Sequence, residues 1–371
     1  MRILMLNYEF PPLGGGGGIA AYKLAKGFVK LGHEVDYVTT WFKGFKKEEN
    51  VDGIDVYRVK VLGRKELPTA TMLSMITYPL SAYFKCRKLC KKNRYDLINT
   101  HFAIPSGPVG VWISKEFKIK NILSLIGGDI YDPSKNNSPH KKWYLRKVVN
   151  WAINNSDYLT AISSNTKENA LKYYKVNKEI KVIPIPYEPI EFKKVSREEL
   201  GLDKKKKYII SVGRLVKRKD YPTLIRALAL LNKKFEALII GDGPEKENIL
   251  SLAKQLKVDD RLHLLGFVDE EKKFQYLSNS DVYVLSSLHE GFGIVLQEAM
   301  QVDLPIVATN NGGQIDFIKD GENGFLVDVG DEKQIANCVN KIFYFDFNEK
   351  NKNKIKEFSL SVISKTILNL K

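Results

Sequence analysis

Two glutamates stand eight residues apart in the stretch "SSLHEGFGIVLQEAM", residues 286–300. Glu290 comes just before Gly291, Phe292 and Gly293, and Glu298 follows about two helical turns later. One carboxylate can accept two hydrogen bonds, which suits the hydroxyls of a sugar or a ribose. The glycines beside it leave amides open at the start of a helix, where the dipole favours an anion. The matching cations stand in "SVGRLVKRKDYPTLIRAL", at Arg214 and Lys219. An arginine supplies a planar fork and a lysine a point charge, a combination that suits a diphosphate. "IIGDGPEKENI" places Gly241 in a tight turn, and "LLGFVDEEK" places Val268 in a loop after another strand end.

Near the N-terminus five glycines run together in "PPLGGGGGIAAYKLAKGF". They sit between a short apolar strand and an amphipathic helix expected over roughly Ile19–Leu31, so a flexible linker would have nothing to link. A glycine backbone there turns sharply and presents amides to an anion. The run lacks the lysine and Ser/Thr of a phosphate-cradling loop, and a plain tight turn stays open as the alternative. Two further polar groups, His101 in "INTHFAIPSG" and Asp129 in "SLIGGDIYD", lie at strand ends. His101 is open between a binding and a structural role.

The elements that must position these residues alternate between strand and helix. The first half offers "RILMLN", "EVDYVTT", "IDVYRVKV", "DLINTH", "ILSLIGG", "YLTAIS" and "IKVIPIP" as strands. The second half restarts with "YIISVGR", "FEALIIGDG", "LHLLGF", "VYVLSS", "PIVATN" and "GFLVDV". Amphipathic stretches separate most of them, which argues for parallel sheets with right-handed crossovers. The fold class is therefore α/β, with two doubly wound domains. The linker falls near residues 184–195, rich in proline and then in charge. The domains are expected at 1–187 and 188–354, with a closing helix over 355–371 returning to the first.

The chain has 371 residues, 44% of them hydrophobic and 27% charged, which allows a sizeable core. No apolar run approaches the length of a membrane span, and "ILML" is too short for a signal peptide, so a cytoplasmic location is expected. Cys86, Cys90 and Cys338 lack redox or zinc spacing and are expected to be reduced structural thiols; the five histidines show no metal-ligand spacing. Net charge is +16, carried mostly by the front half: residues 1–190 hold 30 Lys and Arg against 16 Asp and Glu. Two segments there, 78–96 and 140–151, mix Tyr83, Phe84, Leu89, Cys90 and tryptophans with cations. Such a mixture suits an anionic membrane surface; a solvated helix face is the alternative.

Taken together, these stretches resemble the retaining glycosyltransferases of the GT-B fold, in the large fourth family (glycosyl transferases group 1). The likeness covers nearly the whole chain and rests also on "PIVATNNGGQIDFI" and "GENGFLV". It implies two Rossmann-like domains facing a central cleft, and transfer of a sugar from a nucleotide donor. By the same resemblance Arg214 and Lys219 would grip the donor diphosphate, and Glu290 the hydroxyls of the transferred sugar beside the amides of Gly291, Phe292 and Gly293. Glu298 would hold the ribose, the Val268 backbone would meet the base, and Gly241 would belong to the donor site. Gly17 and Gly18, last of the run, would lie near the diphosphate from the opposite domain. His101 and Asp129 would be acceptor-side candidates, while Ile126 stands where many relatives carry a histidine.

The resemblance further implies no cofactor and no metal, a UDP- or GDP-sugar donor, and a glycan or lipid-linked acceptor used in cell-surface polysaccharide or glycolipid synthesis, at most at the cytoplasmic face of a membrane. A nucleotide-sugar 2-epimerase-like enzyme of the same fold is the alternative. A nucleic-acid-binding module would leave the carboxylate–glycine rim unexplained. Glu34 and Asp36 sit about where a nicotinamide dehydrogenase keeps its ribose-binding acid, but the second domain's motifs argue against that class.

Overall fold

Strand β1, Arg2–Leu6, shows how the first sheet is built. Ile3 and Met5 belong to one apolar cluster, Leu4 and Leu6 to another, so the strand is buried on both faces. That is what a central strand of a parallel sheet covered on both sides requires. In this computed structural model, which describes residues 1–67 and 69–370, the chain divides into two units: Met1–Glu188 with Phe358–Lys371, and Pro189–Glu357.

Among the described residues the N-terminal unit has eight strands, in the order β3-β4-β2-β1-β5-β6-β7-β8. After β1 come β2 (Glu34–Thr40), β3 (Glu48–Val51), β4 (Ile54–Val59), β5 (Leu97–His101), β6 (Asn121–Leu125), β7 (Tyr158–Ala161) and β8 (Ile180–Val182). All pairings are parallel except that of β3 with β4. The helices are α1 (Gly16–Lys30), α2 (Met72–Lys92), α3 (Ser106–Phe117), α4 (Trp143–Asn155) and α5 (Ser164–Tyr173). Cys86, on α2, is fully buried, and burial pushes its thiol well up.

The C-terminal unit is a six-stranded sheet in the order β11-β10-β9-β12-β13-β14, parallel throughout. Its strands are β9 (Lys207–Val212), β10 (Phe235–Ile240), β11 (Leu262–Gly266), β12 (Val282–Leu285), β13 (Ile306–Thr309) and β14 (Phe325–Val327). Its helices are α6 (Tyr221–Leu230), α7 (Lys246–Gln255), α8 (Glu270–Ser278), α9 (Ile294–Gln301), α10 (Glu332–Lys341) and α11 (Asn348–Glu357). A core of Leu224, Leu228, Ile239, Val284, Val307 and Val339 joins helices and sheet.

Every strand expected from the sequence forms, and the two doubly wound sheets are as expected. Two details differ. Helix α1 begins at Gly16, inside the glycine run, rather than at Ile19. The closing helix is not continuous from 355. Helix α11 ends at Glu357, and α12 (Leu360–Leu368) is a separate element of the N-terminal unit. The break follows from Phe358, whose carbonyl accepts the amide of Tyr187 at 2.6 Å instead of continuing the helix. Leu360, Ile363 and Ile367 then bury the apolar face of α12, the latter two in the cluster with Phe28 of α1.

Candidate functional site

Strand β9 lies between β10 and β12, so the sheet order reverses there. Doubly wound sheets bind ligands outside the carboxyl ends of the strands at such a point. The loops leaving β9 and β12 are tied together: Leu288 N donates to Arg218 O at 2.8 Å, and Ser286 Oγ to Lys219 O at 3.0 Å. This brings Glu290 against two cations. Lys219 Nζ lies 2.7 Å from Oε1, and Arg218 Nη1 lies 2.9 Å from Oε2. Ser287 Oγ donates a further bond to Oε1 at 2.8 Å. Burial pushes the Glu290 carboxyl up, yet Lys219 and Arg218 more than reverse this and hold it at about 2. The group is thus an ionised carboxylate at any ordinary pH, its negative charge balanced by fixed cations.

Arg218 was not singled out in the sequence, where the run "KRK" hides it beside Lys219. Arg214 takes a different place. It is exposed on the same loop, and no hydrogen bond or ion pair engages its side chain among the described residues. The loop carrying Glu290 is clamped from behind by a second glycine pair. Gly313 N donates to Glu290 O at 2.8 Å. A Cβ on Gly312, at φ +128°, would meet Glu290 O at 2.3 Å and its N at 2.6 Å. The Phe292 ring is buried and stands edge-on to Phe317, centroids 4.3 Å apart, so this residue contributes backbone to the rim and its ring to the core. Gly293 caps α9 at φ +98°, and Gly291 lies against Gly313.

Glu298, on α9, is buried. Its Oε1 accepts from Lys273 Nζ at 2.8 Å, whereas Oε2 is buried with no hydrogen-bond partner among the described residues. An unpartnered buried carboxylate oxygen is costly. It fits a site that a ligand hydroxyl completes. Lys273 sits in α8, which follows the loop of Val268. Val268 is half-buried and its neighbour Phe267 is 90% exposed. Gly241 has a packing role in addition to any contact with a ligand: a Cβ there would meet Gly213 O at 2.0 Å.

In the N-terminal unit the glycine run is not slack. Gly14 N donates to Leu67 O at 3.0 Å. Gly15 and Gly18 donate to one oxygen of Glu9, at 3.0 and 3.1 Å. The helix N-terminus is therefore already supplied with an acceptor, the Glu9 carboxyl. Burial pushes its carboxyl up, and the amides of Gly15 and Gly18 together with Arg64 pull it back. Gly17 is covered by Phe102: a Cβ there would meet the tip of that ring at 2.3 Å and Ile126 Cγ2 at 3.1 Å.

His101 and Asp129 are both buried. His101 Nε2 pairs with Asn99 Oδ1 at 2.6 Å, and Nδ1 has no hydrogen-bond partner among the described residues. Burial lowers its pKa to about 3, so it is neutral. It lines a cavity of about 20 Å³ with Ser124, Ile126 and Thr160, room for one water. Asp129 accepts from the amides of Ala103 (2.6 Å) and Ile126 (3.0 Å), and so ties the loops after β5 and β6 together. Burial raises it to about 6.

Among the described residues no three His, Cys, Asp or Glu side chains cluster as metal ligands, and no helix is long and apolar enough to cross a membrane. Comparison with known families then decides the class. Residues 192–357 match the model for glycosyl transferases group 1, and residues 14–189 match that for glycosyltransferase family 4.

The chain belongs to the family 4 glycosyltransferases.

It is 29% identical to the N-acetyl-alpha-D-glucosaminyl L-malate synthase of Bacillus anthracis over 341 residues, 88% of this chain and 84% of that one. Its fold matches that of sucrose-phosphate synthase from Thermosynechococcus elongatus, with a TM-score of 0.86 at 21% identity over 100% of this chain and 98% of that one. It also matches Anabaena HepE, solved in complex with UDP-glucose, with a TM-score of 0.78 at 21% identity over 100% and 99%. The architecture is thus that of a GT-B glycosyltransferase, and a transferase is favoured over an epimerase.

Proposed function

We propose that this family 4 member is a retaining glycosyltransferase. It takes a sugar from a UDP- or GDP-sugar and passes it to a glycan or lipid-linked acceptor in cell-surface polysaccharide or glycolipid synthesis. The reaction takes place in the cytoplasm, at an anionic membrane face, and without a metal ion. The observation that carries this reading is the Lys219–Glu290–Arg218 cluster at the switch point of the C-terminal sheet. Support for a nucleotide-sugar donor comes also from HepE, which binds UDP-glucose.

In this reading the bond from the anomeric carbon to the diphosphate breaks, and the diphosphate leaves with the electron pair. Lys219 and the partnerless Arg214 meet the charge that develops there, where fixed cations act more strongly on the transition state than on the bound donor. These cations take the part that a metal ion would otherwise play. Glu290 is pinned by two cations and Ser287 and held ionised, so it orients sugar hydroxyls rather than attacking. The acceptor hydroxyl then bonds to the anomeric carbon from the face the diphosphate leaves, and its proton passes to the departing phosphate oxygen. The second oxygen of Glu298 accepts a ribose hydroxyl.

A screen of UDP- and GDP-sugars for hydrolysis and for transfer, run with and without EDTA, tests the reading. A single preferred donor, turned over equally in EDTA, is expected. Strict dependence on a divalent ion contradicts the metal-free mechanism, and interconversion of donor sugars with no second substrate contradicts the transferase.

A further inference from the structure

Helix α2 carries an apolar stripe that nothing among the described residues of the N-terminal unit covers. Leu73, Ile76, Leu80 and Phe84 recur every three or four residues and are 50, 64, 60 and 65% exposed. Such spacing places them on one side of the helix. Of the residues expected from the sequence to make such a face, Phe84 and the tryptophans Trp143 and Trp151 do; Leu89 is in the core, and Tyr83 and Cys90 are half-buried, Tyr83 bonded to Glu116. The stripe does not end at Phe84. The Tyr83 ring meets Phe84 at 5.5 Å and Trp112 of α3 at 5.9 Å, and Trp112 meets Trp151 of α4 at 6.3 Å. Helix α4 adds Trp143, 64% exposed, with Tyr144 and Val148. Three neighbouring helices therefore share one apolar, aromatic face.

Cations surround this face, and acids are nearly absent. Between residues 72 and 94 there is no Asp or Glu, but Lys85, Arg87, Lys88, Lys91, Lys92 and Arg94 are present. Between 133 and 156 the charged residues are Lys135, Lys141, Lys142, Arg146, Lys147 and none of opposite sign. Arg87 and Lys85 are paired to Glu116 and Glu48, whereas Lys88, Lys91 and Lys92 are exposed at the end of α2. The Lys147 ammonium sits over the Trp143 ring at 4.8 Å. Large exposed aliphatic and aromatic side chains among cations fit the boundary of an anionic bilayer, where rings and aliphatic chains enter the headgroup layer and cations meet the phosphates.

We infer that the exposed face of α2, α3 and α4 is the surface by which the protein docks on an anionic phospholipid membrane. Leu73, Ile76, Leu80, Phe84 and Trp143 insert, and the lysines at the end of α2 and around α4 hold the headgroups. This gives the membrane contact in the proposed function a location, but it does not depend on which sugar is transferred.

The test is co-sedimentation of the full-length protein with vesicles of phosphatidylcholine alone and of phosphatidylcholine with 30% phosphatidylserine. We expect binding to the anionic vesicles only, falling at least tenfold when salt is raised from 0.1 to 0.5 M. Replacing Lys88, Lys91 and Lys92 by Gln should weaken it by about fivefold per charge. The variant Ile76→Gln/Leu80→Gln/Phe84→Gln should lose at least tenfold with an unchanged melting temperature, since these side chains are exposed. Equal binding to neutral vesicles, no binding to anionic ones, or an apolar-face variant that binds like wild type would overturn the proposal. So would a concentration-dependent dimer that the triple variant abolishes, because the face would then cover a second copy. Loss of transfer in Glu290→Ala with membrane binding intact would leave this inference standing while testing the catalytic reading separately.

Discussion

Both units place glycine-rich loops after central strands, but they answer the same electrostatic question in opposite ways. In the C-terminal unit the loops after β9 and β12 bring two cations and a hydroxyl onto one carboxylate, Glu290. In the N-terminal unit a single carboxylate, Glu9, takes two backbone amides at the start of α1. One site surrounds an acid with side-chain cations, with Arg214 to spare; the other fills a helix N-terminus with an acid of its own. Under the proposed function a diphosphate would be met by positive side chains in the first, whereas an anion at the second would have to compete with Glu9. The difference shows that a glycine-rich turn by itself does not tell an anion site from an anion site already filled.

The largest effect that could break this comparison is at Glu290. Glu290→Ala removes one partner of a buried ion pair, which typically costs about 3–5 kcal/mol of stability, and it should lower transfer at least a hundredfold. Because the folded pKa of about 2 lies below the ordinary 4.5, the carboxylate's contribution is complete above pH 4.5 and is lost as pH falls toward 2. Denaturant unfolding of Glu290→Gln and wild type should therefore differ most at neutral pH and converge in that window; a gap that widens in acid would refute the assignment.

Next in size is the clamp behind the loop. Gly312→Ala puts a Cβ 2.3 Å from Glu290 O at a positive φ and should cost at least about 2 kcal/mol. Gly15→Ala, with nothing within 4 Å, should change stability by less than about 0.5 kcal/mol. Thermal melts of both variants check the pair, and equal losses would mean that the two loops are held alike. Arg214→Ala should leave the melting temperature unchanged but slow transfer at least tenfold, since a charge-assisted hydrogen bond is worth about 1.5–3 kcal/mol; steady-state rates decide. The smallest expected change is at Glu9. Glu9→Gln keeps an acceptor for Gly15 and Gly18 but removes the charge, and should tighten nucleoside diphosphate binding by a few fold. Weaker binding would mean that Glu9 organises the loop rather than competing with the ligand.

The fold was legible because parallel strands buried on both faces read as short apolar runs, as in "RILML" and "FEALII". Strand β3 escaped because "EENV" is polar and lies at the sheet edge, paired antiparallel with β4. The one signal for it was the turn at Asp52–Gly53, both at positive φ as a tight hairpin needs. Of the site, Lys219 and Glu290 were legible as charges beside glycines after strands, and the structure brings them together. Arg218, Lys273, Gly312 and Glu9 were not. Their roles depend on which loops touch, and a lysine four residues into a helix or a glutamate before two prolines has no local mark that tells of it. The break before α12 was missed for the same reason: Tyr187, which takes the carbonyl of Phe358, lies far away in sequence.

If the C-terminal cluster holds the donor, calorimetric titration of UDP and GDP will separate wild type from Lys219→Ala. At least tenfold weaker binding of the preferred nucleotide by the variant, with its fold intact by circular dichroism, is predicted. The same affinity in both proteins would mean that Lys219 does not hold the donor.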